Sequence, residues 1–294
     1  MKNPASHKNL KAAVIGMPIK QSLSPVMHMH WFERAGLSGD YCAIEVAPND
    51  LAAQVKEFQE SGFSGFNVTT PHKTGIVPLL NKLAPSAREI GAVNTVKIRD
   101  EGTLTGFNTD GIGFLKNLNE QAPGWPSDKP ALVLGAGGAA RAVVAALLNT
   151  SVPMIMLCNR TQKKAQSLAG DIGRGRVTVV SWDERNHAVT GAGLVINTTM
   201  LGMEGQKKLL LDLSGAAADT VVYDIVYKPL HTDLLASAKN RGLKTVDGLG
   251  MLVHQGAAAF KVWFEVDAQY DDALRGKLLA ALGEKHSVSK KVGS

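Results

Sequence analysis

The chain alternates short apolar runs with amphipathic stretches. Ala12 to Ile15, Tyr41 to Val46 and Phe66 to Thr69 are brief and apolar, and they read as strands. Between them, Val26 to Ala35 and Leu51 to Glu60 carry helical spacing. The resulting βαβαβ order predicts a parallel sheet covered by helices. Thr95 to Arg99 and Leu104 to Phe107 then read as a hairpin joined at Asp100-Glu101-Gly102. A helix follows Gly111, with Ile112, Leu115 and Leu118 on one face. The proline-rich stretch Gln121 to Pro130 predicts a loop leading into a second domain.

Strand–helix alternation resumes at Ala131 to Leu134, followed by a helix to about Leu148. Further strands are predicted at Met154 to Cys158, Val177 to Val180, Leu194 to Ile196, Val221 to Ile225 and near Thr245. Helices are predicted at Lys163 to Ala169, Leu234 to Asn240, Met251 to Phe264 and Asp271 to Leu282. No short-period repeat is visible. The expectation is an α/β protein of two domains: an open, mostly parallel α/β substrate domain and a second doubly wound domain.

Composition narrows the function classes. The 294 residues are 45% hydrophobic and 20% charged, which suits a globular chain able to bury a sizeable core. No run approaches the about 18 apolar residues of a membrane span. The first ten residues have no apolar segment of the signal-peptide kind. Cys42 and Cys158 match no metal or redox spacing, so a cytoplasmic location and no metal are expected. The net charge of +6 is mild and dispersed, which argues against a nucleic-acid partner. The basic stretch Lys285 to Lys291 reads as a frayed terminus.

The strand Ala131 to Leu134 runs into Gly135-Ala136-Gly137-Gly138-Ala139-Ala140. This G-x-G-x-x-A turn between strand and helix is the phosphate-binding signature of a Rossmann unit. Gly135 permits the tight turn, Gly137 admits the pyrophosphate, and the helix N-terminus faces the phosphates. A turn that merely packs a helix on a sheet is the bland alternative. After the next strand, an NAD enzyme places an acid for the ribose. Here Asn159-Arg160-Thr161 stands instead, followed by Lys163 and Lys164. An arginine fork suits a 2′-phosphate, so NADP is the expected cofactor.

Other strings carry candidate chemistry, each with an ordinary alternative. Lys73 follows Asn67-Val68-Thr69-Thr70-Pro71-His72 just past a strand end, where open α/β sheets bind ligands. Partly buried, it would serve as a proton donor to a carbonyl; seen alone, it is a surface lysine after a turn. Asp110, in Asn108-Thr109-Asp110-Gly111, is a helix N-cap or a partner for Lys73. Ser24 before Pro25 is a capping pair, whereas Ser22 has no capping duty, and the two hydroxyls together suit a carboxylate. Asn94 in Gly91-Ala92-Val93-Asn94-Thr95 is a binding amide or a turn residue.

Together these strings resemble one family. Ser-x-Ser-Pro, Asn-Val-Thr-x-Pro-x-Lys, Gly-Ala-Val-Asn-Thr, Asn-Thr-Asp-Gly, Gly-Ala-Gly-Gly-Ala, Asn-Arg-Thr and Asp-Gly-Leu-Gly-Met-Leu-Val-x-Gln occur here in the order found in shikimate dehydrogenases. The resemblance spans about Ala13 to Phe264. It implies reversible, NADPH-dependent reduction of 3-dehydroshikimate to shikimate in chorismate and aromatic amino-acid biosynthesis. It implies Lys73 and Asp110 as the catalytic pair, Ser22 and Ser24 on the substrate carboxylate, and Thr69, Asn94, Tyr227 and Gln255 on the rest of the substrate. NADP would be held by Gly135, Ala136, Gly137, Gly138 and Ala139, with Asn159, Arg160, Thr161, Lys163 and Lys164 at the adenosine end. Ile225 and Gly248 would lie near the nicotinamide. The implied substrate-binding catalytic domain is residues 1–109 with 249–294, and the NADP-binding Rossmann domain is residues 110–248. A monomer or homodimer is expected.

The chain departs from the family in places. Asn81-Lys82-Leu83-Ala84-Pro85 replaces a frequent acidic stretch, and Lys163 and Lys164 stand where arginine is common, which leaves more of the phosphate contact to Arg160. The loop Asn197 to Met203 is a variant. The alternatives are a quinate/shikimate dehydrogenase using NAD, or a non-catalytic ligand-sensing module of the same fold.

Overall fold

In the computed structural model, which describes residues 9–284, the chain forms two six-stranded sheets. The predicted terminus Lys285 to Lys291 lies outside the described residues. The first sheet uses β1 (Leu10–Gly16), β2 (Gly39–Glu45), β3 (Gly65–Val68), β4 (Lys82–Leu83), β5 (Thr95–Ile98) and β6 (Leu104–Phe107) in the order β2-β1-β3-β5-β6-β4. β1 pairs parallel with β2 and β3, while β5 is antiparallel to both β3 and β6. The helices α1 (Ser24–Ala35), α2 (Leu51–Glu60) and α3 (Pro85–Ile90) belong to this half, and α4 (Asp110–Gln121) leaves it.

The second sheet is wholly parallel. Its strands are β7 (Ala131–Leu134), β8 (Ile155–Cys158), β9 (Val177–Val180), β10 (Leu194–Asn197), β11 (Val221–Asp224) and β12 (Lys244–Val246). Their order, β12-β11-β10-β7-β8-β9, is that of a Rossmann domain and reverses between β7 and β10. α5 (Gly138–Leu148), α6 (Gln162–Ile172) and α7 (Asp233–Asn240) accompany it, and α8 (Leu249–Phe264) and α9 (Asp272–Leu282) return to the first sheet.

Strand alternation explains why the central strands read as unbroken apolar runs. In β1, Ala12 and Val14 join α1, α8 and α9 on one face, while Ala13 and Ile15 join Val55 and Phe58 of α2 on the other. β7 repeats the arrangement, with Ala131 and Val133 packed on α5 and Leu132 and Leu134 beside Leu234 and Leu235 of α7. The two halves are joined by α4. Its Phe114 and Leu118 enter the core of the second half, and Asn117 Nδ2 donates to the Asp247 carbonyl at 2.7 Å. An Arg174–Glu89 ion pair adds a link between α3 and the segment after α6.

One core feature has chemical weight. The His28 ring is fully buried, lies parallel on Tyr41 at 4.1 Å and meets Trp31 edge-on at 5.0 Å. Neither ring nitrogen has a hydrogen-bond partner, and burial pushes the imidazole down to about 3 from 6.5. The unfolded chain takes up this proton near pH 6.5 and the folded chain only near 3, so His28 erodes stability as pH falls through that window. The slope is at most about 1.4 kcal/mol per pH unit for one proton. His28→Phe is therefore expected to flatten the acid-side loss of unfolding free energy, measured by urea melts from pH 7 to about pH 4; an unchanged slope would assign that loss to other groups.

Candidate active site

The carboxyl ends of β1, β3, β10 and β11 converge on one cavity of about 490 Å³ between the two sheets. Residues just past these ends line it: Met17, Thr69, Thr198 and Ile225. This is where open α/β sheets bind ligands, here with two sheets presenting that edge to a shared space.

Lys73 and Asp110 meet in this cavity. Lys73 lies in the turn after β3, and its Nζ is 2.5 Å from Asp110 Oδ2. Asp110 is the first residue of α4, where a carboxylate also complements the helix dipole. It is not the N-cap that the sequence suggests; that position is Thr109, whose side chain makes no capping bond, while Asn108 Oδ1 accepts the Asp110 N–H at 3.1 Å. The Asp110 carboxylate is committed elsewhere, with Oδ2 to Lys73 and Oδ1 to Asn94 Nδ2 at 2.8 Å. Asn94 Nδ2 also reaches Gln255 Oε1 of α8 at 3.1 Å. Asn94, Asp110 and Gln255 thus tie β5, α4 and α8 to one point.

The serine string folds otherwise than its capping pattern implies. α1 begins at Ser24 with Leu23 as N-cap, and the Ser22 Oγ accepts the Ser24 N–H at 3.3 Å. Ser22 therefore helps to tie down the start of α1, and both serines face the cavity with Thr69 and half-buried Tyr227. Burial raises the Tyr227 phenol, which stays a neutral donor.

The glycine turn lies across the cavity. Gly135 has φ +115°, and a Cβ there would strike the Thr198 hydroxyl at 2.5 Å. Gly137 has open space where its side chain would be, and the N–H groups of the first turn of α5 are free to face an anion. Ala136 and Ala139 flank it, and Ala139 reaches the cavity. Past β8, Asn159 Nδ2 donates to the Thr161 carbonyl at 2.9 Å and shapes that turn. The Arg160, Lys163 and Lys164 side chains are exposed and have no partner among the described residues. Three unpaired cations beside a glycine turn fit a dinucleotide with an additional phosphate. They lie off the cavity itself, as the adenosine end of an extended ligand requires. Ile225 and Gly248 line the cavity, and a Cβ on Gly248 would meet the Ile225 carbonyl at 2.2 Å.

Several cavity residues lie within the sequence strings without being assigned a role by them. Asn67, the first residue of the Asn-Val-Thr string, sits in buried β3, and Thr198, Thr199 and Met200 follow β10 at the point where strand order reverses. The rule of strand carboxyl ends would have found the latter three. The loop beyond them is braced by Asp224, a fully buried carboxyl that accepts from Asn197 Nδ2, the Val226 N–H and Thr232 Oγ1 at 2.7–3.0 Å. Burial pushes Asp224 up to about 6.

Family models match along the chain: a shikimate dehydrogenase substrate-binding domain over residues 14–96, a shikimate/quinate 5-dehydrogenase domain over 118–204 and a shikimate 5′-dehydrogenase C-terminal domain over 248–275. The shikimate dehydrogenase (NADP(+)) of Paramagnetospirillum magneticum is 49% identical over 276 residues, covering 94% of this chain and 100% of its own. Among solved structures, the Thermus thermophilus shikimate 5-dehydrogenase in complex with NADP(H) and shikimate is 39% identical, covers 92% of this chain and 98% of its own, and has a TM-score of 0.80. The quinate dehydrogenase of Corynebacterium glutamicum in complex with NAD is 31% identical with a TM-score of 0.85, covering 92% and 99%. With the whole paired cleft matched at this level, the chain belongs to the shikimate dehydrogenase family.

Proposed function

We propose that this protein is an NADP-dependent shikimate dehydrogenase of the cytoplasm that interconverts 3-dehydroshikimate and shikimate. The observation that carries the reading is the Lys73–Asp110 pair, set in a cavity that ends at a dinucleotide turn. Among the described residues, 9–109 with 249–284 form the substrate unit, and residues 110–248 form the cofactor unit. NADPH, when bound, supplies the hydride that reduces the substrate C3 carbonyl.

The chain's own residues do the rest. Lys73 delivers a proton to the C3 oxygen as it becomes a hydroxyl and recovers it in the oxidative direction. Asp110 holds the ammonium in place and accepts from a neighbouring substrate hydroxyl. Ser22 and Ser24 donate to the substrate carboxylate, and Thr69, Asn94, Tyr227 and Gln255 grip the ring hydroxyls. Asn94 cannot serve both sides freely, because its amide is already aimed at Asp110. It therefore fixes the distance between substrate and acid–base pair. Gly135 to Ala139 take the pyrophosphate, and Arg160 with Lys163 and Lys164 takes the 2′-phosphate. Ile225 and Gly248 shape the nicotinamide side. The paired serines and Arg160 favour shikimate with NADP over quinate with NAD. That choice is tested by comparing kcat/KM for the two pairs; a higher value for quinate with NAD would reverse it.

Lys73→Ala is expected to lower kcat by at least about 100-fold with little change in shikimate binding, followed at 340 nm. Near-normal turnover would remove the acid–base role. Arg160→Ala is expected to weaken NADP by at least about tenfold and NAD far less; equal losses would place the phosphate elsewhere. A third expectation concerns Gly138. A Cβ at this position would lie 2.7 Å from Lys73 Cβ, so the helix that begins the cofactor site also walls the lysine stem. Gly138→Ala displaces that stem, and kcat should fall roughly 10- to 100-fold. A loss confined to the KM for NADP would restrict Gly138 to the cofactor.

A further inference from the structure

Asp110 receives hydrogen bonds from two sides, and only one of them comes from Lys73. The other is the end of a buried chain whose direction is fixed by two backbone groups. Asn67 Nδ2 faces the Asn94 carbonyl at 3.1 Å, which can only accept. The Asn67 Oδ1 must therefore face Tyr41, and the phenol must donate to it, at 2.7 Å. Further along, Asn94 Oδ1 receives the Thr109 backbone N–H at 2.9 Å, which can only donate. Asn94 therefore turns its Nδ2 to Asp110. Thr95 Oγ1 lies between, accepting from Asn67 Nδ2 at 3.1 Å and donating to Asn94 Oδ1 at 3.0 Å. No amide in this series can flip without setting donor against donor or acceptor against acceptor.

The chain starts at the Tyr41 phenol, and Tyr41, Asn67, Thr95, Asn94 and Asp110 follow one another without a break. All five are buried. Tyr41 is held from below by the parallel His28 ring, which offers it no competing hydrogen bond.

We propose that Tyr41 is a positioning residue for the acid–base pair, the head of a one-directional hydrogen-bond chain that ends on Asp110. The donors point in series toward the Asp110 carboxylate and polarise one another. They also fix the Asn94 amide, and so the place of Asp110 relative to substrate.

The inference rests on the acid–base reading of Lys73 and Asp110, and the two fail separately: that reading fails if Lys73→Ala keeps turnover, this one if Lys73→Ala is inactive and Tyr41→Phe keeps the wild-type kcat. Tyr41→Phe removes one hydroxyl and should lower kcat roughly 3- to 10-fold, with the KM for NADP unchanged. In a Thr95→Val background, where the chain is already cut, Tyr41→Phe should cost nothing further. In a Thr95→Ser background, which keeps the hydroxyl, its full effect should return. Equal losses of kcat in all three backgrounds would overturn the chain, leaving Tyr41 as packing. His28→Phe serves as the control, since it alters the stack and no hydrogen bond. It should shift thermal stability and leave kcat alone; a loss of kcat matching that of Tyr41→Phe would likewise overturn the proposal. Melting curves for each variant establish that turnover is compared among folded proteins.

Discussion

The Lys73–Asp110 contact is the constraint that the rest of the molecule serves. Side chains 37 positions apart are held at 2.5 Å, both largely withdrawn from water. A withdrawn ion pair is a poor source of stability, because desolvation offsets much of the attraction, and removing either partner strands the other charge. Such a pair persists where its geometry is needed and where neighbours satisfy its remaining valences. Asn94 supplies that on the Asp110 side. On the Lys73 side the main chain contributes as well, because the Lys73 carbonyl accepts the Val93 N–H at 2.7 Å. The lysine turn is thereby bonded to the segment that presents Asn94.

The topology of the first sheet follows from the same requirement. A purely parallel sheet would place one ligand edge beside β1 and β3. Here the antiparallel β5 and β6 bring Asn94 and Asp110 back to that edge: Asn94 immediately precedes β5, and Asp110 begins the helix after β6. The second sheet meets it from the opposite side with the same kind of edge, at its own point of strand reversal. Gly138 of the second half lies beside the Lys73 stem, so that a Cβ there would sit 2.7 Å from Lys73 Cβ. Closeness of this kind lets one short side chain answer to both substrate and cofactor units.

Hydrophobic periodicity carries most of the element order because the strands are short, fully buried and separated by helices with a clear apolar face. It fails where elements are too brief to have a period. β4 has two residues and α3 has six, and both fall in the segment from Asn81 to Ile90, where proline and lysine mask the pattern. Residue chemistry marks the glycine turn, Lys73 and Asp110 as candidates, since each lies at a punctuated strand or helix end. It cannot mark Asn67 or Tyr41. Both lie inside strands, and their polar atoms gain meaning only from partners 26 to 28 positions away. The capping pattern misleads at Asp110 for a related reason. A side chain that could satisfy its own helix is held by tertiary partners instead, and local preference yields when the tertiary bond is buried.

The two walls of the cleft are stiffened by different means. On the substrate side, the amides and hydroxyls from Tyr41 to Asn94 are neutral, and their order is fixed by backbone groups. On the cofactor side, the loops after β10 and β11 are tied by Asp224, whose three neutral donors come without a cation. Burial raises that carboxyl to about 6, so near neutrality it holds a charge that its surroundings resist. The folded chain thus binds this proton more readily than the unfolded one, whose carboxyl titrates near 3.8. Stability from this group is complete below 3.8 and is lost as pH rises through about 6. The ionised form nonetheless accepts all three bonds at once, which an amide could not do. A costly anion here is the group able to anchor Asn197, Val226 and Thr232 together, and those anchors shape the rim against which the nicotinamide end of a dinucleotide would rest.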